Sequence, residues 1–255
     1  MFVKRDGEGS EVCFGLHGWS GTHTTFAPLV PHLPPGVALY SVDLPGYGQS
    51  PPPRRWDLAG LTDEIAATIE GFGAEAVTLI GNCSGALLGL LAAERVSGRI
   101  KRLVLIDPFA YLPWYFKVFV APGLGRYAYY STFANPVGRW ITNQSLTNHR
   151  AAKTDLTESF HRVDHAASYR YLRLLAGIEG IEQFAGLRQP IDLVYGARTF
   201  GAVKESVARW RGIWPQARSW ELAEAGHLPI VEAPAALSRI LFPAASLRTE
   251  SQREL

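Results

Sequence analysis

The sequence contains few cysteines and few charged residues. Only two of its 255 residues are cysteine, and 19% are charged. Two thiols are too few for a disulfide-stabilised scaffold or for a zinc cluster built from thiolates. The 25 lysines and arginines nearly balance the 23 acidic residues and form no dominant run, so the composition does not indicate a nucleic-acid partner or an anionic membrane surface.

No long apolar segment indicates a leader or a membrane span. The N-terminal residues MFVKRDGEGSE are polar and lack the hydrophobic centre of a signal peptide, which favours a cytoplasmic protein. Residues 76–93 carry no formal charge, but the small and polar residues GNCSG interrupt them at 81–85. We therefore predict a buried strand, a tight turn and a helix in this segment, and no transmembrane segment.

Apolar residues are abundant, at 47% of the chain, which is enough for a large buried core. Short apolar strands alternate with amphipathic helices, and some strands are the continuous kind that a parallel sheet buries on both faces. This alternation predicts an α/β fold with a mostly parallel central sheet flanked by helices. The predicted strands are 12–16, 37–42, 77–80, 103–106, 191–195 and 218–222, and the predicted helices are 26–33, 57–72, 84–96, 202–212 and 229–242.

The alternation is interrupted between residues 108 and 186. Residues 109–140 hold 11 of the 29 aromatic residues, where an even distribution would put about four. We interpret 108–186 as a helical insertion into one core made of 1–107 and 187–243, with a polar tail at 244–255. The aromatic residues of the insertion either pack it against the sheet, or form an apolar binding cavity or a homodimer contact.

The strongest local motif is Gly81-Asn82-Cys83-Ser84-Gly85, between a predicted strand and a predicted helix. Small residues on both sides of the central position permit the strained turn that presents a nucleophile above a sheet, with cysteine here where serine is usual. A helix that begins at Ser84 would point its N-terminus at this thiol, and such a dipole lowers the pKa of a thiol. The alternative is a tight turn with a buried, unreactive cysteine.

Three further segments follow predicted strands, and they are LHGWSG at 16–21, DLPGYGQS at 43–50 and GHLP at 226–229, with Glu232 and Pro234 beyond. Together with the turn at 81–85, they resemble the α/β-hydrolase superfamily over nearly the whole chain. The resemblance implies a mainly parallel sheet with a lid inserted between the sixth and seventh strands of that fold. The insertion at 108–186 falls at this place, so we call it the lid.

The resemblance also assigns roles to individual residues. Cys83 matches the nucleophile, His227 matches the general base, and the backbone N–H groups of Trp19 and Ser84 match the oxyanion hole. One donor held in place for a tetrahedral oxyanion is worth roughly 3–4 kcal/mol. For the lid we favour a binding cavity for an acyl or aromatic group over packing alone. The candidates for substrate binding there are Trp114, Tyr115, Phe116 and Tyr129.

The chain departs from the family at the acid of the triad. In the family the acid follows the strand after the lid in a Gly-x-x-Asp pattern, where this chain has Thr199 and no carboxylate between Asp192 and Glu205. Asp107 ends the strand at 103–106 on the same sheet edge, and some members of the superfamily place the acid there. We predict Asp107 as the orienting acid. The alternatives are a turn-capping aspartate and a Cys–His dyad without an acid.

These assignments predict chemistry through a covalent acyl-Cys83 thioester. Our first hypothesis is a hydrolase for an ester or thioester with a hydrophobic acyl or aromatic part, either a small molecule or bound to a carrier. The second is an acyltransferase, cyclase or thioesterase-like enzyme of a biosynthetic pathway, which passes the acyl group to an acceptor other than water. The third is a non-catalytic ligand binder on the same fold. Nothing in the sequence indicates a metal or an organic cofactor.

Overall fold

A seven-stranded sheet runs through the centre of the computed structural model, which describes residues 1–178 and 180–243. The strand order is β1-β3-β2-β4-β5-β6-β7, and only the pairing of β1 with β3 is antiparallel among these strands. This confirms the predicted α/β fold with a mostly parallel sheet. The strands are β1 (Phe2–Asp6), β2 (Glu11–Leu16), β3 (Val37–Asp43), β4 (Val77–Asn82), β5 (Ile100–Ile106), β6 (Ile191–Gly196) and β7 (Arg218–Leu222).

The first strand is an addition to the sequence prediction. Only about 11 residues precede the predicted strand at 12–16, so the family's N-terminal hairpin should be short or missing. The structure forms one five-residue strand there, and Phe2 of β1 pairs with Asp43 at the end of β3. The sequence pattern did not predict β1, because it is an edge strand with exposed polar residues, Lys4 and Arg5.

Helices cover both faces of the sheet, because alternate residues of the central strands point to opposite sides. Phe14 and Leu16 of β2 belong to one core cluster, while Cys13 of the same strand belongs to the other. Besides the lid, the α-helices are α1 (Leu58–Glu70), α2 (Ser84–Arg95), α7 (Gly201–Ile213), α8 (Pro229–Glu232) and α9 (Pro234–Leu241). Helices α1, α2 and α7 cover the first cluster, and α9 covers the second together with a 3₁₀ helix at His23–His32.

Proline changes two of the predicted helices. The segment predicted as one helix at 229–242 forms α8 and α9, because Ala233 before Pro234 leaves the helical conformation. The segment predicted near 26–33 is a 3₁₀ helix that contains Pro28 and Pro31. A proline has no N–H for the α-helical hydrogen bond, which favours this tighter form.

Helices fill the lid between β5 and β6. They surround an aromatic core cluster of Tyr129, Phe133 and Phe160. The lid helices are α3 (Trp114–Val120), α4 (Gly125–Tyr129), a π-helix at Tyr130–Ala134, α5 (Pro136–Ser145) and α6 (His165–Leu175), with 3₁₀ turns at Thr147–His149, Glu158–His161 and Glu182–Gly186. The predicted polar tail at 244–255 lies outside the described residues. Within the described part of the chain, none of the helices has the length and apolar character needed to cross a bilayer.

Candidate active site

Cys83 lies on a strained turn between β4 and α2. Its φ of +52° and ψ of −117° form a conformation that residues with a side chain rarely adopt. A Cβ atom on Gly81 would clash with the backbone of Ala86, and one on Gly85 would clash with the end of β2. The two glycines therefore allow α2 to lie directly against the sheet. This close approach holds the thiol above the carboxyl edge of the parallel strands.

The two residues predicted to form the oxyanion hole, Trp19 and Ser84, line the same cleft as Cys83. Ser84 is the first residue of α2, whose N-terminus has no side-chain cap. Trp19 follows Gly18, where a Cβ atom would come within 3.1 Å of Cys83 Cβ. Within residues 1–178 and 180–243, neither the Trp19 N–H nor the Ser84 N–H has an acceptor. Both N–H groups are therefore available as donors, and the dipole of α2 favours negative charge at its N-terminus.

His227 and Asp107 form a hydrogen-bonded pair, although 120 residues separate them. His227 Nδ1 donates to Asp107 Oδ2 at 2.8 Å. The carboxylate is fully buried, and it also accepts from the Gly196 N–H at 3.2 Å and from the Thr199 hydroxyl at 2.7 Å. Because Nδ1 is hydrogen-bonded to Asp107, Nε2 of the ring is available to interact with Cys83.

The backbone of Asp107 is strained as well. Its φ is +46°, and Pro108 disfavours helical conformations at the residue before it. Ser20, Cys83 and Asp107 are the residues other than glycine with a positive φ in the described part of the chain. All three belong to the loops that form the candidate site. Backbone strain of this kind persists only where the surrounding structure fixes it, and it clusters at functional sites.

Thr199 stands where the superfamily's usual acid would be. Its hydroxyl donates to Asp107 Oδ2 at 2.7 Å and lies 3.2 Å from His227 Nδ1. Since its one proton points to the acid, its oxygen can only accept a hydrogen bond from the ring. Thr199 therefore braces both members of the pair. The missing carboxylate at this position was readable from the sequence, but the bracing role of the hydroxyl was not.

The surroundings of His227 favour its charged form. The side chain is 15% exposed. Burial by itself lowers the pKa of His227, but the hydrogen bonds and charges of Asp107 and Cys83 raise it to about 10. An imidazolium at neutral pH is the partner that stabilises a thiolate. The three side chains can therefore hold a thiolate–imidazolium pair supported by a buried carboxylate.

Hydrogen bonds connect the loop of His227 to the lid. The His227 N–H donates to the His149 carbonyl at 2.8 Å. The Glu232 carboxylate accepts from the Ala151 N–H of the lid at 2.6 Å and from the Gly226 N–H of the loop. The sequence motif includes Glu232 close to His227 along the chain, but it does not predict that the Glu232 carboxylate bridges this loop and the lid. The bridge ties the position of the imidazole to the position of the lid.

An apolar cleft opens at Cys83. Its volume is about 480 Å³ with its open mouth included. Most of its wall comes from the beginning of the lid, from α2 and from α6, and none of the lining side chains is ordinarily charged at neutral pH. The lining residues are Trp19, Cys83, Ser84, Leu87, Phe109, Tyr111, Leu112, Pro113, Phe116, Leu172 and Leu175. Such a cleft can take an apolar chain whose reactive carbonyl lies at the thiol.

The four aromatic residues predicted to bind substrate lie in different surroundings. Phe116 lines the cleft. Tyr115 packs against Phe116, with ring centroids 5.2 Å apart, and is not part of the lining. Trp114 is 76% exposed, and Tyr129 is fully buried in the lid core. The geometry thus supports a substrate contact for Phe116 alone among these four, because aromatic content does not tell which face of a helix a ring occupies.

Leucines that the sequence prediction did not single out form much of the cleft. Leu172 and Leu175 come from α6, and Leu87 comes from the first turn of α2. A spacing of three residues puts Leu172 and Leu175 on the same face of their helix. The same spacing is typical of ordinary core residues, so only the position of Leu87, three residues after Ser84, could have indicated a site residue.

We expect Asp107→Asn to lower kcat/KM by about 10-fold to 10³-fold, because an amide does not stabilise the imidazolium or fix its tautomer. The loss should be smaller than in a serine triad, since a thiol ionises more easily than a hydroxyl. Steady-state kinetics on an acyl ester would measure it. Asp192→Asn is the matched control, since Asp192 is equally buried but pairs with Arg102. A loss no larger than that of Asp192→Asn, with both variants folded, would exclude Asp107 as the orienting acid.

Comparison with protein families identifies the class of this fold and site. The model of the alpha/beta hydrolase family matches residues 14–240. The chain belongs to the alpha/beta hydrolase family. This confirms the resemblance inferred from the motifs at 16–21, 43–50, 81–85 and 226–229.

Two curated relatives with the same name are similar to this chain in sequence. The pimeloyl-(acyl-carrier protein) methyl ester esterase of Aeromonas hydrophila subsp. hydrophila is 26% identical over 247 residues, which cover 91% of this chain and 94% of the relative. The enzyme of the same name from Neisseria meningitidis serogroup B, strain H44/76, is 32% identical over 136 residues, or 51% of each chain. The match to this Neisseria relative therefore spans about half of the relative's length.

Solved structures share the whole architecture. A thermophilic esterase from Thermogutta terrifontis superposes with a TM-score of 0.77 at 18% identity, over 97% of this chain and 93% of that chain. The enol-lactonase from Burkholderia xenovorans LB400 gives a TM-score of 0.74 at 17% identity, over 95% of each chain. At such low identities the likeness shows the fold alone.

Proposed function

We propose that the protein is a hydrolase that cleaves esters or thioesters of apolar acyl groups through a covalent acyl-Cys83 intermediate. The observation that carries this proposal is the meeting of Cys83, His227 and Asp107 at an apolar cleft. Membership of the alpha/beta hydrolase family and similarity to methyl ester esterases support an ester substrate. The names of those relatives also support an acyl group attached to a carrier protein.

In the first half of the reaction, the Cys83 thiolate attacks the carbonyl carbon and forms a C–S bond. The carbonyl electron pair moves to oxygen, and the oxyanion accepts hydrogen bonds from the Trp19 and Ser84 N–H groups. When the tetrahedral intermediate collapses, the bond to the leaving alcohol or thiol breaks. His227 Nε2 gives its proton to that leaving group, which produces acyl-Cys83 and a neutral imidazole.

In the second half, water releases the acyl group. Neutral His227 takes a proton from water while the water oxygen attacks the thioester carbonyl carbon. The second oxyanion collapses, the C–S bond breaks, and the carboxylic acid leaves. This restores the thiolate and the imidazolium, and Asp107 stabilises the imidazolium each time it forms.

The cleft lining sets an expectation for the acyl group. Burial of one methylene contributes about 0.8 kcal/mol, so kcat/KM should rise roughly threefold to fourfold with each added carbon until the cleft is full. Acyl methyl esters and acyl thioesters of increasing chain length would measure this slope. Leu175→Ala should flatten it, while Leu124→Ala, an equal truncation at a side chain outside the lining, should not. A preference for acetyl over longer chains would contradict the proposal.

Product analysis with an added alcohol, amine or thiol separates hydrolysis from acyl transfer. The proposal predicts the free carboxylic acid as the main product at low millimolar concentrations of each acceptor. A product dominated by the acceptor adduct would instead support an acyltransferase, to which a cysteine thioester is also suited. Tight binding of the esters and thioesters with no product from any of them would support a non-catalytic binder.

A further inference from the structure

Helix α5 of the lid has its polar and apolar faces reversed relative to the core. Arg139 and Asn143 face inward and are buried, and Arg139 donates to the carbonyl oxygens of Phe133 and Ala134. The opposite face exposes Val137, Trp140 and Ile141, with Trp140 65% exposed. These three residues have the i, i+3, i+4 spacing that places them on one helix face. The apolar face of α5 is therefore exposed to solvent, while its polar face packs against the lid.

The lid helices that precede α5 also expose large apolar side chains. Trp114 and Val118 are four residues apart on α3, and both are exposed. The turn between α3 and α4 exposes Leu124, and α4 exposes Tyr127. We call the exposed faces of α3, α4 and α5 with this turn the outer lid face. Seven large apolar side chains exposed within residues 114–141 are more than scattered surface residues.

The charges of this region have one sign. No aspartate or glutamate occurs between Asp107 and Asp155. Lys117 on α3 and Arg126 on α4 are exposed among the apolar side chains. The total charge of the chain is nearly neutral, so the composition did not reveal this local excess of positive charge and did not indicate an anionic membrane as a partner. The outer lid face therefore suits an occupant that is apolar and carries negative charge.

We propose that the outer lid face binds to an anionic phospholipid surface. A bilayer offers an apolar phase beneath anionic headgroups, and tryptophan, tyrosine, lysine and arginine are the residues that favour that boundary. A second copy of the chain would bring the same cations face to face, which opposes a symmetric dimer. An acidic protein would be bound chiefly through cations, yet the exposed apolar side chains here outnumber Lys117 and Arg126. This inference goes beyond the proposed function, because binding to vesicles does not require that the protein cleave esters or thioesters.

The surface also adjoins the cleft. Leu112 and Pro113 line the cleft, and Trp114 is the next residue of the chain. Phe116 of α3 lines the cleft, while Trp114 and Val118 of the same helix are exposed. A lid that rests on lipid would hold the cleft near the phase in which apolar acyl groups concentrate.

Vesicle co-sedimentation of the full chain tests the proposal. We expect binding to phosphatidylcholine vesicles that contain about 30% phosphatidylglycerol, and much weaker binding to phosphatidylcholine alone. The triple variant Val137→Ser, Trp140→Ser, Ile141→Ser should bind at least about tenfold more weakly. The double variant Lys117→Gln, Arg126→Gln should bind about 30-fold more weakly, because each cation near an anionic membrane contributes roughly a fivefold factor in affinity.

A matched control keeps the test independent of folding. Val231→Ser replaces an exposed apolar residue outside the lid and should bind like the wild type. Circular dichroism and thermal unfolding would confirm that each variant is folded. Absence of binding to the anionic vesicles would overturn the proposal. So would a dimer in light scattering that the triple variant abolishes, or binding of an acyl carrier protein that depends on the outer lid face while the vesicles do not bind.

Discussion

Cys83→Ala should lower turnover of acyl esters and thioesters by at least about 10⁴-fold, since loss of a nucleophile leaves only the oxyanion donors and binding. Alanine fits the turn as cysteine does, because the strain lies in the backbone and in the close approach of Gly81 and Gly85. Cys83→Ser should keep measurable activity, since serine is the usual residue at this position. Its rate should fall because a hydroxyl ionises far less readily than a thiol.

The second cysteine provides the control for this prediction. Cys13 is buried in β2, and burial raises its pKa to about 12. Cys13→Ala should therefore leave turnover nearly unchanged, apart from the effect of a small core cavity on stability. Turnover by Cys83→Ala at the wild-type rate, measured on the same substrates, would exclude Cys83 as the nucleophile.

His227→Ala should lower kcat by about 10²–10⁴-fold, because both proton transfers lose their donor and acceptor. It should also change how Cys83 reacts with iodoacetamide. The pKa of His227 lies near 10, since Asp107 and Cys83 outweigh the effect of burial, so the imidazolium persists through neutral pH. Alkylation of Cys83 at neutral pH should therefore be slower in the variant than in the wild type, because the thiolate loses its ion-pair partner.

His32→Ala is the control for the histidine prediction. His32 is exposed at the end of the 3₁₀ helix, away from the cleft lining. This variant should keep both the wild-type turnover and the wild-type rate of alkylation at neutral pH. If His227→Ala also kept both, the imidazole would have no part in the chemistry, whatever its distance from Asp107.

The candidate site was largely accessible from sequence because its parts lie at the ends of parallel strands. The turn around Cys83 and the loop of His227 have local patterns that depend on only a few residues. Asp107 could be chosen because a carboxylate was absent after β6 and present after β5. The distance of 2.8 Å between Asp107 and His227 agrees with that choice. The chemical roles of these residues stay predictions.

The lid could not be predicted at the same level. Its aromatic content predicted an apolar insertion. Within this one helical region, however, Phe116 lines the cleft, Trp114 is exposed and Tyr129 is fully buried. Helical periodicity alone also cannot tell which side of α5 faces the protein, and the usual assumption of an apolar inner face fails there. Tertiary contacts decide both questions.

The central claim is the covalent acyl-Cys83 intermediate, and the most direct test is the mass of the protein during turnover. The wild type would be mixed with excess acyl thioester and quenched with acid within seconds. We expect a mass increase equal to one acyl group in place of one hydrogen, located on the peptide that contains Cys83 and absent from Cys83→Ala. An acyl group on any other residue, or turnover by Cys83→Ala at the wild-type rate, would contradict the account.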